Sequence, residues 1–145
     1  MILIETPYYR ISIDPNVPCL EWIGLKPMDS NTFRESEVKL RDFYLHNKKD
    51  YKSFNLYVDA REIGNISSDD TTWVVKEILP HMVTAGMRKE AFVVPETAME
   101  RLIVTNYINK AGNIIEMKKF SDERAAKEYL GQKSEQKSQY LDSAD

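Results

Sequence analysis

Polar and apolar residues alternate with period two in segment after segment of this chain. That feature restricts it to folds built on a sheet with one drier and one wetter face. Tyr9-Arg10-Ile11-Ser12-Ile13-Asp14 shows it first. Asp14-Pro15-Asn16 is turn chemistry, and Leu20-Glu21-Trp22-Ile23-Gly24-Leu25 follows closely enough to predict an antiparallel hairpin. Phe54–Asp59 alternates again, as does Ile114–Phe120, whereas Lys89–Pro95 is more continuously apolar through Ala91-Phe92-Val93-Val94. Helical patterns separate these strands. One covers roughly 31–47, capped by Asp29 or Ser30, with Phe33, Leu40, Phe43 and Tyr44 on its apolar face. A second, about 69–85, opens at Ser67-Ser68-Asp69-Asp70; a third, 96–108, ends at Ala111-Gly112-Asn113; a short fourth runs from Ser121 to Leu130.

The predicted order is β-β-α-β-α-β-α-β-α. It implies an α/β fold in which an N-terminal antiparallel hairpin is followed by parallel βα units with right-handed crossovers. Four of the five predicted strands alternate, with Arg10, Ser12, Asn55, Asp59, Glu116 and Lys118 among their polar residues. Helices are therefore expected mainly on one face, unlike a doubly wound nucleotide-binding sheet. A chain of 145 residues fits one domain, expected over 1–130, and the Gln, Ser, Lys, Glu and Asp of 131–145 read as a mobile tail.

Several classes of function find no support. The net charge of −3 and pI near 5.5 argue against a nucleic-acid binder. No apolar run approaches the ~18 residues of a membrane span, and Met1–Arg10 lacks the basic start of a secretory signal. The single cysteine, Cys19, forbids an internal disulfide and points to a reducing, cytoplasmic compartment. GxGxxG, P-loop, CxxC, HxxxH, HExxH and GxSxG are all absent, so no cofactor, metal or enzymatic activity is expected.

Two regions rise above this background. At the carboxyl end of the third predicted strand, Asp59 and Arg61 precede Ser67, Ser68, Asp69 and Asp70; a strand-end anion site is one reading, a capped and solvated turn the other. In the second helix Trp73 projects with Lys76, Glu77, Pro80 and Thr84, away from the apolar half. It reads either as an aromatic anchor or as a side chain packed under a loop. Met82, Met87, Met99 and Met117 suit an adaptable apolar pocket or a filled core.

Val58-Asp59-Ala60-Arg61-Glu62-Ile63-Gly64, then Trp73, Pro80, Gly86, Lys89 and Ala91–Pro95, resembles the SpoIIAA-like, STAS-type proteins of bacteria. Phe120-Ser121-Asp122 with Ala125-Ala126 and Tyr129-Leu130 is similar to that family's closing strand and helix. The resemblance spans about 9–130 and implies a mixed sheet of βα superhelical turns. It also implies either of two kinds of behaviour: binding of apolar ligands or membranes, or regulation of a protein partner through a phosphorylated serine. The antagonists of that group carry D-S-[ST]-G-L at the second helix; here Asn65–Asp70 offers Ser67 and Ser68, without the D-S or the G-L. Asp69 and Asp70 would also repel an added phosphate of roughly −2 charge.

The leading expectation is a non-enzymatic binding or regulatory module. It would take a small apolar or amphipathic ligand, or a protein partner, at Trp73, Met82, Met87, Met99, Ile103 and Tyr107, with the second helix pivoting at Pro80 and Gly86. The alternative is an antagonist-like protein switched at Ser67 or Ser68. A homodimer through a sheet edge is allowed, with Lys118 and Lys119 placed to blunt one edge.

Overall fold

A computed structural model describes residues 1–132. It contains a mixed six-stranded sheet in the spatial order β1-β2-β3-β4-β5-β6, formed by Ile2–Glu5, Tyr9–Asp14, Cys19–Gly24, Asn55–Asp59, Lys89–Val93 and Glu116–Phe120. The first three strands are antiparallel neighbours and the last three join in parallel. The expected hairpin is β2–β3, with Ile11 opposite Trp22 and Ile13 opposite Leu20.

The sheet has one strand more than expected. Ile2–Glu5 is too short to carry a clear pattern. It is placed by pairing with β2, by the N-terminal amine donating to Ile13 O at 2.9 Å, and by Thr6 Oγ1 accepting from the Tyr8 and Tyr9 amides.

Strand order explains the one-sided architecture. Each strand adds beside the previous one in the same direction, so successive right-handed crossovers place their helices on the same face. Those helices are α1 (Ser30–Asn47), α2 (Ser68–Trp73), α3 (Leu79–Thr84) and α4 (Ala98–Ala111). Asp29 caps α1, its side chain accepting from Thr32 N at 2.8 Å. Facing these helices is the main core, with Ile11, Leu20, Trp22, Leu56, Phe92 and Met82 buried. Tyr44 crosses it, its hydroxyl donating to Phe54 O at 2.7 Å.

The single helix expected over 69–85 is broken. Between α2 and α3, Val74–Ile78 forms a π-helical turn in which Leu79 N–H reaches Val74 O. Pro80 lacks an N–H and its ring would strike the carbonyl four residues back. The wider turn lets Pro80 sit at the start of α3, where the missing donor is not required.

α5 (Glu123–Gly131), capped by Asp122, lies on the opposite face against β4, β5 and β6. Ala126 and Leu130 bury Cys19, Tyr57, Ala91 and Val93. The rest of the wetter face is closed by charge. Lys127 Nζ bonds Asp14 at 2.7 Å and Glu21 at 2.6 Å and lies 4.8 Å from the Tyr57 ring centre, while Ser12 donates to Glu21. Lys89 donates to Tyr129 O and Gln132 O, holding the end of α5. Of the expected tail, Gly131 ends α5, and the positions from 133 onward lie outside the described residues.

Gly64 has φ +68°, and a Cβ there would come 2.9 Å from Pro27 Cβ. Gly64→Ala is expected to cost about 1–3 kcal/mol through left-handed strain and this collision. Urea unfolding would check it, and an unchanged midpoint would show that the loop simply shifts.

Candidate functional site

Between the sheet and the covering helices lies a cavity of about 60 Å³. Trp22 and Leu56 supply sheet walls, Phe33 and Leu40 come from α1, Met82 from α3, and Val104 from α4. Its aromatic walls pack edge to face in two pairs: Trp22 with Phe33 at 6.3 Å between ring centres, and Phe92 with Tyr107 at 5.8 Å. The indole N–H is satisfied, donating to Ser36 Oγ at 3.0 Å, and Ser36 in turn donates to Phe33 O.

Two acids interrupt this apolar lining. Glu37 projects from α1 and Glu90 from β5, and both face the cavity. Glu90 is only 4% exposed, and its Oε1 has no hydrogen-bond partner. Glu37 keeps some accessible surface, yet its carboxyl is far inside the molecule, so that surface belongs to the cavity wall. Burial raises Glu37 to about 8. Burial, then the nearby Glu37, pushes Glu90 well above the ordinary carboxylate range. Tyr107 is raised by burial and by both acids. The causes of the two carboxyl shifts include no neighbouring cation. The result is an acidic pair that the protein itself does not neutralise.

Ile66, Thr71 and Ile103 line both this cavity and an outer pocket of about 260 Å³, which Ser68, Asn106, Asn109 and Lys110 complete. The outer pocket lies between α2 and α4, behind these three side chains. Lys110 latches it, its Nζ lying 2.8 Å from Ser68 O, 2.6 Å from Ser68 Oγ and 2.9 Å from Thr71 Oγ1. Lys110→Ala is expected to loosen α4 over this pocket. Amide exchange in 98–111 should speed up at least roughly fivefold while β4 and β5 keep their protection. Unchanged exchange in α4 would remove the latch.

The structure divides the six expected binding residues. Met82, Ile103 and Tyr107 line the cavity. Met87 does not; it is fully buried in the main core, where the chain turns into β5. Met99 is 80% exposed in the first turn of α4 and does not line the cavity. Trp73 is half-buried beneath the Arg34 guanidinium, 4.8 Å from the ring centre to Cζ, and is likewise absent from the cavity. The π turn that begins right after Trp73 shifts the helix phase, so a regular 100° projection misplaces the residues around it.

The strand-end candidates are closed on themselves. Asp59 accepts two hydrogen bonds from the Arg61 side chain, at 3.0 and 2.7 Å, and one from its amide. The strand order never reverses, so no crevice of the doubly wound kind opens beyond β4. Ser67 caps α2 by accepting from Asp70 N. Asp70, buried between Ser30 and Arg34, ties α1 to α2 at 2.8 and 2.7 Å. Burial raises its carboxyl, but the hydrogen bonds led by Arg34 outweigh this and hold it below its usual value.

Cys19 is buried, and its thiol is pushed up to about 12 by that burial, far from the range of a nucleophile. Among the described residues no three His, Cys, Asp or Glu converge as metal ligands, and no helix is long and apolar enough to cross a membrane. Glu37 and Glu90 do not stand out as site residues in the sequence, although both carry a signal there. Glu37 lies just beside the Phe33–Leu40–Tyr44 arc of α1, and Glu90 shares its strand face with Phe92. The chain matches no family model, no curated protein and no solved structure.

Proposed function

We propose that this protein is a binding module that takes a small molecule into the cavity between its sheet and helices, through the outer pocket between α2 and α4. The observation that carries the reading is a cavity walled by apolar and aromatic side chains yet holding two acids that no protein cation neutralises. Groups so buried are normally satisfied, and a pair left open inside an apolar chamber suits a ligand that completes it. The π turn and Pro80 provide the place where α3 can shift as Met82 adjusts to an occupant. A STAS-type topology agrees with the monotonic strand order and one-sided crossovers. A cytoplasmic setting suits a free buried thiol.

Native mass spectrometry of protein purified from its own host tests this directly. A retained small adduct is expected on the wild-type chain, and none on Ala60→Val, whose added methyls fill the chamber. Bare mass for both, with no displaceable small molecule in the solvent extract, would sink the reading. A second reading, regulation by phosphorylation, draws on one contact: Lys110 lies 2.6 Å from Ser68 Oγ and would meet a phosphate there. An increment of one phosphate mapped to Ser68 rather than Ser67 would support it.

A further inference from the structure

The chemistry of the two acids narrows the ligand, given the binding reading just proposed. We infer that the inner cavity is a site for a protonated alkylamine whose ammonium group lies between Glu37 and Glu90 and whose short chain lies against Phe92 and Met82. Glu90 is only 4% exposed, and one of its oxygens is unpartnered in the chamber. An ammonium brings three donors and a positive charge to a chamber whose lining includes two acids and no Lys, Arg or His. A ligand carboxylate would have to be buried beside two acids with no cation in the lining to hold it. A hard metal ion needs about six oxygens, and the remaining walls are largely apolar. Four aromatic rings, Trp22, Phe33, Phe92 and Tyr107, line the cavity, and a ring that turns its π face to the ligand favours a cation over an anion.

Size limits the ligand further. A volume of about 60 Å³ corresponds to about two waters, so roughly two to four non-hydrogen atoms fit without rearrangement. A longer amine would extend past Ile66 and Ile103 into the outer pocket. At the best efficiency known for such small ligands, a three-atom cation binds in about the millimolar range.

Three probes of one shape separate the outcomes: ethylammonium, ethanol and acetate, titrated into the full chain with methyl NMR of Met82, Ile103 and Val104 as the readout. Ethylammonium is expected to shift these methyls saturably and at least tenfold more tightly than ethanol, with acetate silent. Glu90→Gln and Glu37→Gln should each weaken ethylammonium at least tenfold and change ethanol far less. Ethanol binding as tightly as ethylammonium, or acetate binding better, would overturn the amine assignment while leaving a ligand-binding cavity in place. Ethylammonium binding that survives both Gln variants would equally overturn it. If no probe moves a buried methyl, the cavity holds only water and both proposals fall. Should the Gln variants not fold, the three-probe series on the wild-type chain still decides.

Discussion

Raising the pH from about 5 to about 8 is expected to weaken this fold, and Glu37→Gln is expected to remove its own part of that loss while Glu90 keeps the rest. The folded Glu37 carboxyl titrates at about 8 against an ordinary 4.5, and Glu90 is also raised. Below the ordinary value both states hold the proton, and the neutral pair is tolerated. Between the two values the unfolded chain has released protons that the folded chain retains, so stability falls steadily as the pH rises. Above about 8 the Glu37 share of the loss is complete. A tenfold change in proton affinity between the two states is worth about 1.4 kcal/mol; with the cavity wide enough for water to relieve part of the burial, we expect a loss of about 2–4 kcal/mol over the window. Tyr107 faces the same pair and stays neutral throughout, being raised further. Asp14 and Asp70 have lowered values and destabilise only when protonated, in acid below this window. Chemical unfolding at several pH values would show a declining wild-type midpoint and a shallower decline for Glu37→Gln, the remainder belonging to the buried Glu90. Parallel curves for the two proteins would mean that Glu37 is ionised and hydrated in the fold.

Lys127→Met should unfold about 10 °C earlier at neutral pH, a loss of about 3 kcal/mol for a domain of this size. Lys127 is the cation shared by Asp14 and Glu21, with Glu123 at 3.8 Å, and its side chain is only 14% exposed. Removing it leaves two carboxylates facing each other beneath α5. The cause can be distinguished from lost packing by pH. In acid below the ordinary carboxylate range the ion pairs are lost in wild type as well, and the gap between wild type and variant should shrink. A gap of equal size in acid would assign the loss to the methylene stem of Lys127 over Tyr57 instead.

The helices and five of the six strands follow from local chemistry. Asp29 caps α1 and Asp122 caps α5 because a short side-chain oxygen satisfies an amide that the helix cannot. Alternation in β2, β3 and β4 foretells a sheet with one face wetter than the other, and Lys127, Glu21, Asp14 and Ser12 occupy that face. The edge strand Ile2–Glu5 is not legible because four residues hold too little pattern and its stability lies in the hydrogen bonds of its neighbour. The π turn is hidden because a helical projection assumes the phase that Pro80 interrupts. Half of the expected binding residues, Trp73, Met87 and Met99, lie elsewhere for related reasons: residue type tells what they could line, while helix phase and chain direction decide what they do line.

The sequence by itself determined the order of elements, the turns and caps that separate them, and the one-sided hydrophobicity that makes a sheet with a wetter face. Those properties depend on neighbours a few residues apart. Only the tertiary structure decided that Glu37 and Glu90 share one chamber, and that the chamber shares three wall residues with a pocket latched by Lys110. The two acids lie on separate elements, and they come together through the crossover of α1 over the sheet and the position of β5 within it. A carboxyl in an apolar stripe is a local signal. Whether it finds a cation, a solvent path or a second acid depends on what packs across from it, and no spacing along the chain encodes that.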